Sequence, residues 1–202
     1  MRCFLLNRLI KIIVLPFLSI LNLNAQDELN IQNEEFMPLH TRILWGEKGL
    51  IRKMNLAPET RRAELKLRTK MLQNHQKLAM VSLGLLAYQY SLGQQVIDSG
   101  FAPKYTSAHR KYSTVTWGFY MTSASLSYFA PPALVYEKRV SSMKMHRWLS
   151  YIHFAGMIAL PVLGKNISKS GYELSATNLH QDVATVTFVS MILSGLLTIL
   201  PY

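Results

Sequence analysis

Four apolar runs free of Asp, Glu, Lys and Arg, at 78–97, 112–136, 148–164 and 183–202, constrain this chain more than any other feature. At 1.5 Å rise per residue, about 20 helical residues match the ~30 Å of a bilayer's hydrocarbon core. Each run therefore predicts a membrane-spanning helix. The second is broken near its end by Pro131-Pro132, and the third is short, with Pro161 near its far end. Connections between the runs are short, so consecutive helices are expected to be antiparallel neighbours. The expected fold is all-α: an antiparallel four-helix transmembrane bundle over 75–202, in a bacterial-type inner (plasma) membrane.

The remainder of the chain divides in two. Residues 1–25 read as a signal peptide, with Arg2, Arg8 and Lys11 before an apolar core at 12–21 and Leu23-Asn24-Ala25 as the cleavage point. An uncleaved signal anchor is the alternative, and either reading puts Gln26 and the N-terminal extension outside the cytoplasm. Cys3 is the one cysteine, so disulfides, Cys-based metal sites and a catalytic thiol are excluded. Residues 26–74 form an interfacial and helical extension. Trp45, Gly46, Arg42, Lys48, Arg52 and Lys53 suit a segment lying on a membrane surface or a plain solvated loop. From Pro58 onward, good helix formers predict a helix that runs unbroken into the first span.

Histidine recurs at the head of each run: His75, His109, His146 and His180, spaced by 34, 37 and 34 residues. Antiparallel alternation sorts them. His75 and His146 head the first and third helices and share one end, while His109 and His180 share the other. Facing histidines inside a helical bundle suit an iron porphyrin, each neutral imidazole giving one axial nitrogen. The four are thus expected haem-iron ligands, two per haem b. The bland reading is a ring merely tolerated at the water–lipid interface. His153, seven residues after His146, falls on nearly the same face two turns deeper. It is either an alternative ligand or a satisfied core histidine. His40 reads as surface.

Arg110, Lys111, Arg147 and Lys77 flank the lead histidines and are either propionate partners or snorkelling anchors. Gly84 and Gly118, nine residues after their lead histidines, are expected to allow close helix packing. The hydroxyls of the second run (Thr114, Thr116, Thr122, Ser123, Ser125 and Ser127) are expected chiefly to bond helix backbone.

Over residues 75–200, four helices with lead histidines paired first-with-third and second-with-fourth, together with HRWLSYIHFAGMIALPVLG at 146–164, resemble the cytochrome b-561 superfamily. The resemblance implies two b-type haems, one on His75 and His146, the other on His109 and His180, passing electrons across a membrane. The chain departs from the eukaryotic members in lacking their flanking helices, unless the N-terminal segment stays uncleaved, and in showing no counterpart of their ascorbate-binding motifs. The donor and acceptor stay open among a quinone, a small anionic reductant and a redox protein.

Charge gives conflicting orientations. Ten basic residues lie on the His75/His146 side and five on the other, so the positive-inside rule opposes the orientation set by an export signal. The net charge of +11 clusters at span ends, which suits membrane flanks and argues against nucleic acid as a partner. The expected function is that of an electron-carrying oxidoreductase component. A four-span subunit without cofactor is the alternative. A channel is disfavoured, because the spans carry no carboxylate or basic residue.

Overall fold

The computed structural model describes residues 34–136 and 138–199, which are helical throughout most of their length. A 3-10 turn at Glu34–Phe36 precedes α1 (Leu39–Trp45), α2 (Leu50–Lys53), α3 (Arg61–Asp98), α4 (Pro103–Tyr128), α5 (Ser142–Lys169) and α6 (Leu174–Leu197). The expected signal peptide lies outside the described residues.

Local chemistry fixes the ends of the four long helices. Thr60 caps α3 by accepting from the Ala63 amide at 3.2 Å, and Ser141 caps α5 by accepting from Lys144 at 3.3 Å. Pro103 opens α4 in the first turn, where its missing N–H costs nothing. α3 is a continuous 38-residue helix through residue 75, as the run of helix formers predicts.

Helices α3 and α4 form one hairpin, and α5 and α6 another; each packs closely within itself and touches the other sparingly. The hairpins are copies. Both turn through a glycine and an aromatic residue in the left-handed region: Gly100 and Phe101 at φ 61° and 63°, Gly171 and Tyr172 at φ 67° and 66°. In each turn the aromatic amide closes the helix end, from Phe101 to Val96 O at 2.8 Å and from Tyr172 to Ile167 O at 2.9 Å. The Phe101 and Tyr172 rings meet at a centroid distance of 4.7 Å. A shift of 71 positions carries His75 to His146, Gly93 to Gly164, His109 to His180 and Ser123 to Ser194. The same shift relates the helix ends, Asp98 to Lys169 and Pro103 to Leu174. The sequence reading saw the histidine spacing but not this duplication.

A second periodicity runs along each helix. Stepping by seven residues gives His75, Ser82 and Gln89 on α3, His109, Thr116 and Ser123 on α4, His146 and His153 on α5, and His180, Thr187 and Ser194 on α6. Ser82, Gln89, Thr116, Ser123, His153, Thr187 and Ser194 are all buried. Seven-residue steps keep one seam facing inward along packed helices. An apolar cluster of Leu86, Tyr120, Met157 and Met191 fills the middle. Pro161 lies inside α5 and cannot donate to the Met157 carbonyl four residues back. The Trp117 indole N–H takes that carbonyl at 3.1 Å.

This seam corrects the membrane reading. Among the described residues, no helix is long and apolar enough to cross a membrane. Length is not what is lacking in α3; its uncharged polar residues, the buried Ser82 and Gln89 together with the exposed Ser91, Gln94 and Gln95, dilute the apolar content that the absence of charge suggests. The four-span transmembrane bundle and the multi-pass inner-membrane location are therefore overturned. What stands is an all-helical fold.

The extension also differs from expectation. Trp45 does not lie at an interface: it is 5% exposed, and its indole donates to Phe129 O at 3.1 Å. Glu64, 1% exposed, binds Arg52 at 2.7 Å and Arg61 at 2.6 Å. Arg61 also donates to Pro132 O and Ala133 O at 2.9 and 2.7 Å, and Arg68 donates to Pro131 O. The segment between α4 and α5 is thereby fastened to α3 and the extension.

Candidate cofactor site

The inward seam places a histidine pair near each end of the bundle. At the open end, away from the two hairpin turns, His75 and His146 are anchored in the same way. The His75 Nδ1–H donates to Ser123 O at 2.9 Å, and the His146 Nδ1–H donates to Ser194 O at 2.8 Å. A backbone carbonyl only accepts, so each contact fixes the proton on Nδ1 and leaves Nε2 with its lone pair. Each serine doubles the anchor. Ser123 Oγ lies 3.1 Å from His75 Nδ1 and donates to His75 O at 3.1 Å; Ser194 Oγ does the same for His146 at 2.8 and 3.3 Å. Both links join residues 48 apart in sequence. His75 is held below the ordinary histidine pKa by burial, against the raising effect of the Ser123 carbonyl, with the charge of His146 adding to the depression.

At the turn end, His109 and His180 face each other with ring centroids 6.3 Å apart and planes at 72°. Glycines lie against both rings: a Cβ on Gly93 would crowd His109 Cε1 at 3.2 Å, and one on Gly164 would stand at an ordinary contact distance of 3.5 Å from His180 Cε1. Each ring thus lays its Cε1 edge against the glycine of its own hairpin. Here the anchoring is unequal. Gln89 Nε2 is 2.9 Å from His109 Nδ1 and donates to His109 O at 2.9 Å. His180 Nδ1 is buried with no hydrogen-bond partner, and so is Gln89 Oε1. The residue that the 71-position shift places opposite Gln89 is Leu160, which offers no polar atom. Burial holds both histidines below the ordinary range, and with the added charge of His109 it takes His180 to about 4.

His153 sits between the two pairs. Its Nδ1 is 2.6 Å from the Tyr120 hydroxyl, and both residues are buried. Burial, then the charges of His146 and His75, lower its pKa to about 4, and burial raises that of Tyr120. Of the two readings the sequence left open, the contact with Tyr120 favours the satisfied core histidine.

Other expected residues fall in varied places. Lys77, Arg110 and Lys111 are exposed, whereas Arg147 is partly buried. Arg147 lies close enough to His40 and to Arg68 for its charge to lower the pKa of both, after burial as the larger cause. His40 is not a free surface residue: its ring stacks on Tyr128 at 4.5 Å. Gly84 and Gly118 have open space where a Cβ would stand, so they do not serve close packing. Gly156 does, because a Cβ there would overlap the Thr187 hydroxyl. The α4 hydroxyls mostly bond their own helix, as Thr116 does to Tyr112 O at 2.8 Å and Thr122 to Gly118 O at 2.8 Å. Ser123 is the exception that crosses to a histidine.

Ser123, Ser194, Gln89, Gly93, Gly164 and Tyr120 are the site residues that sequence reasoning missed. Aligning the chain on itself at a shift of 71 exposes the first, second, fourth and fifth of these.

Among the described residues, no group of three or more His, Cys, Asp or Glu side chains could hold a metal ion. A metal centre built from protein ligands alone is therefore not supported. A porphyrin iron asks less of the protein, since the macrocycle fills four positions and leaves two axial ones. Two imidazoles on opposite sides of one metal, each bonded at about 2 Å, hold their ring centres roughly 6 Å apart. The His109–His180 separation fits that demand. Compared with known proteins, the chain matches no family model, no curated protein and no solved structure.

Proposed function

We propose that this helical bundle is an electron carrier holding two b-type haems, one between His75 and His146 and one between His109 and His180. The observation that carries this reading is the pairing itself: each pair joins a histidine to its own copy in the other hairpin. His109 and His180 stand at the separation a bis-histidine metal requires. The open-end histidines have Nδ1 committed to backbone carbonyls, which keeps Nε2 free to bind.

Bound in these positions, an iron porphyrin would supply a one-electron couple at each end of the bundle. The chain's own contributions are definite. Ser123 and Ser194 hold the tautomer and ring orientation at the open end. Gly93 lets the His109 ring recess into its hairpin, and Gly164 lies against the His180 ring. The cluster of Leu86, Tyr120, Met157 and Met191 packs between the two sites. The donor and acceptor are proposed to come from the three classes weighed above, a quinone, a small anionic reductant or a redox protein.

The test is a haemin titration of the purified chain, followed by a pyridine haemochrome count and a visible spectrum of the reduced form. Two haems per chain are expected, both six-coordinate and low-spin. Alanine at His75 or His146 should remove one, and alanine at His109 or His180 the other. Failure to take up haem, or uptake untouched by all four substitutions, sinks the reading.

A further inference from the structure

The two hairpins have diverged where they matter to one histidine pair. Through the 71-position shift, Ser123 and Ser194 are the same residue type and anchor His75 and His146 alike. Gln89 and Leu160 are not alike. Gln89 reaches the Nδ1 edge of His109 at 2.9 Å, while His180 Nδ1 is buried without a partner. A buried imidazole N–H with no acceptor loses its hydration and gains nothing in return.

The Gln89 amide carries a second clue. Its Oε1 is also buried without a partner. An imidazole that binds metal through Nε2 keeps its proton on Nδ1 and seeks an acceptor there. A half-turn of the Gln89 amide brings Oε1 to that nitrogen in place of Nε2 and gives up the bond Nε2 makes to His109 O. Metal binding by His109, which needs an acceptor at Nδ1, would drive that exchange, and the unpaired acceptor is already beside it. Leu160 can offer His180 nothing of the kind.

We propose that Gln89 is a positioning residue that makes the two ligands of the turn-end site unequal, by accepting the Nδ1 proton of His109 and strengthening its Nε2 as a donor. An acceptor on the far nitrogen of an imidazole increases its basicity and favours the more oxidised metal. The inference rests on the haem reading above, and it is specific to one end: the open-end pair, anchored by two carbonyls, has no such asymmetry.

The experiment is a spectroelectrochemical titration of the haem-loaded chain carrying His75→Ala and His146→Ala, so that the turn-end haem is read alone. Gln89→Leu, which copies Leu160, should raise its midpoint potential. Gln89→Glu, which keeps the shape and accepts more strongly, should lower it. Leu160→Gln should lower it by giving His180 an acceptor. The pair Gln89→Leu with Leu160→Gln should return the potential toward the parent value, a rescue that a purely structural role for Gln89 would not produce. Haem bound in every variant at one unchanged potential overturns the inference while leaving the haem reading intact. A parent chain that binds no haem overturns both.

Discussion

The two ends of the bundle are closed by different physics. At the turn end, two copies of one tight turn bring Phe101 against Tyr172, and glycines seat His109 and His180 in their hairpins. At the open end the chain passes through a long connector before α5. It is held by cations: Arg61 and Arg68 donate to the carbonyls of Pro131, Pro132 and Ala133, and buried Glu64 ties Arg61 to Arg52. One end is thus specified by backbone geometry that duplicates, the other by side-chain charge that does not. The histidine pairs show the opposite pattern, equal anchors at the open end and unequal ones at the turn end. The contact that repeats in both hairpins is made by a serine carbonyl and hydroxyl, and the one that does not is made by the Gln89 side chain.

The largest expected effect breaks the open end. Removing one partner of a buried ion pair costs about 3–5 kcal/mol, because the remaining charge stays buried and uncompensated. Glu64→Ala should lower the urea midpoint accordingly and free the 129–141 connector to proteolysis, with no comparable change at the turns. An unaltered midpoint would mean that the charges do not hold this end.

Acid should strike next. His153 has a folded pKa of about 4 against an ordinary 6.5, so the unfolded chain binds its proton first as pH falls. Its contribution to stability is full above pH 6.5 and is lost progressively down to about pH 4, by up to about 3 kcal/mol. His180 acts with the same sign over the same window. Thermal melts followed by circular dichroism between pH 7 and pH 4 should show a falling midpoint. His153→Phe should flatten that slope, and a slope unchanged by the substitution would contradict the assignment.

Packing comes third. Gly156→Ala forces a methyl into the Thr187 hydroxyl and should cost about 1–3 kcal/mol, whereas Gly84→Ala and Gly118→Ala face open space and should stabilise by about 0.5–1 kcal/mol through helix propensity. Melting points of the three variants separate the two glycine classes.

The smallest effect compares the hairpins directly. Gly93→Ala meets His109 at 3.2 Å, closer than an ordinary contact, whereas Gly164→Ala meets His180 at 3.5 Å, an ordinary van der Waals distance, so the first should melt lower than the second. Equal melting points would argue that the rings are seated alike.

How much of this the sequence revealed depends on the kind of signal. Histidine heads and short connections were enough to place His109 opposite His180, because antiparallel alternation fixes which helix ends meet. Helices were legible from long charge-free runs, but their polarity was misjudged: Ser82, Thr116, Gln89 and Thr187 carry no charge, yet they face inward and reduce the apolar content of each helix. The continuity of α3 was visible in its helix formers. Glycines misled, since Gly84 and Gly118 matched a packing pattern while the glycines that a Cβ would crowd, Gly93 and Gly156, lie elsewhere. Trp45 was read as interfacial, although the Phe129 carbonyl that buries it lies 84 residues away in sequence, beyond any local pattern.

The central claim is that each histidine pair is one site made from two copies of a hairpin. Counting haem by pyridine haemochrome in the parent chain and in the four single His→Ala variants tests it most directly. Two haems in the parent and one in every variant, with His75→Ala spectrally matching His146→Ala and His109→Ala matching His180→Ala, is the result predicted. No haem in the parent, or variants that match within a hairpin instead of across the two, would contradict it.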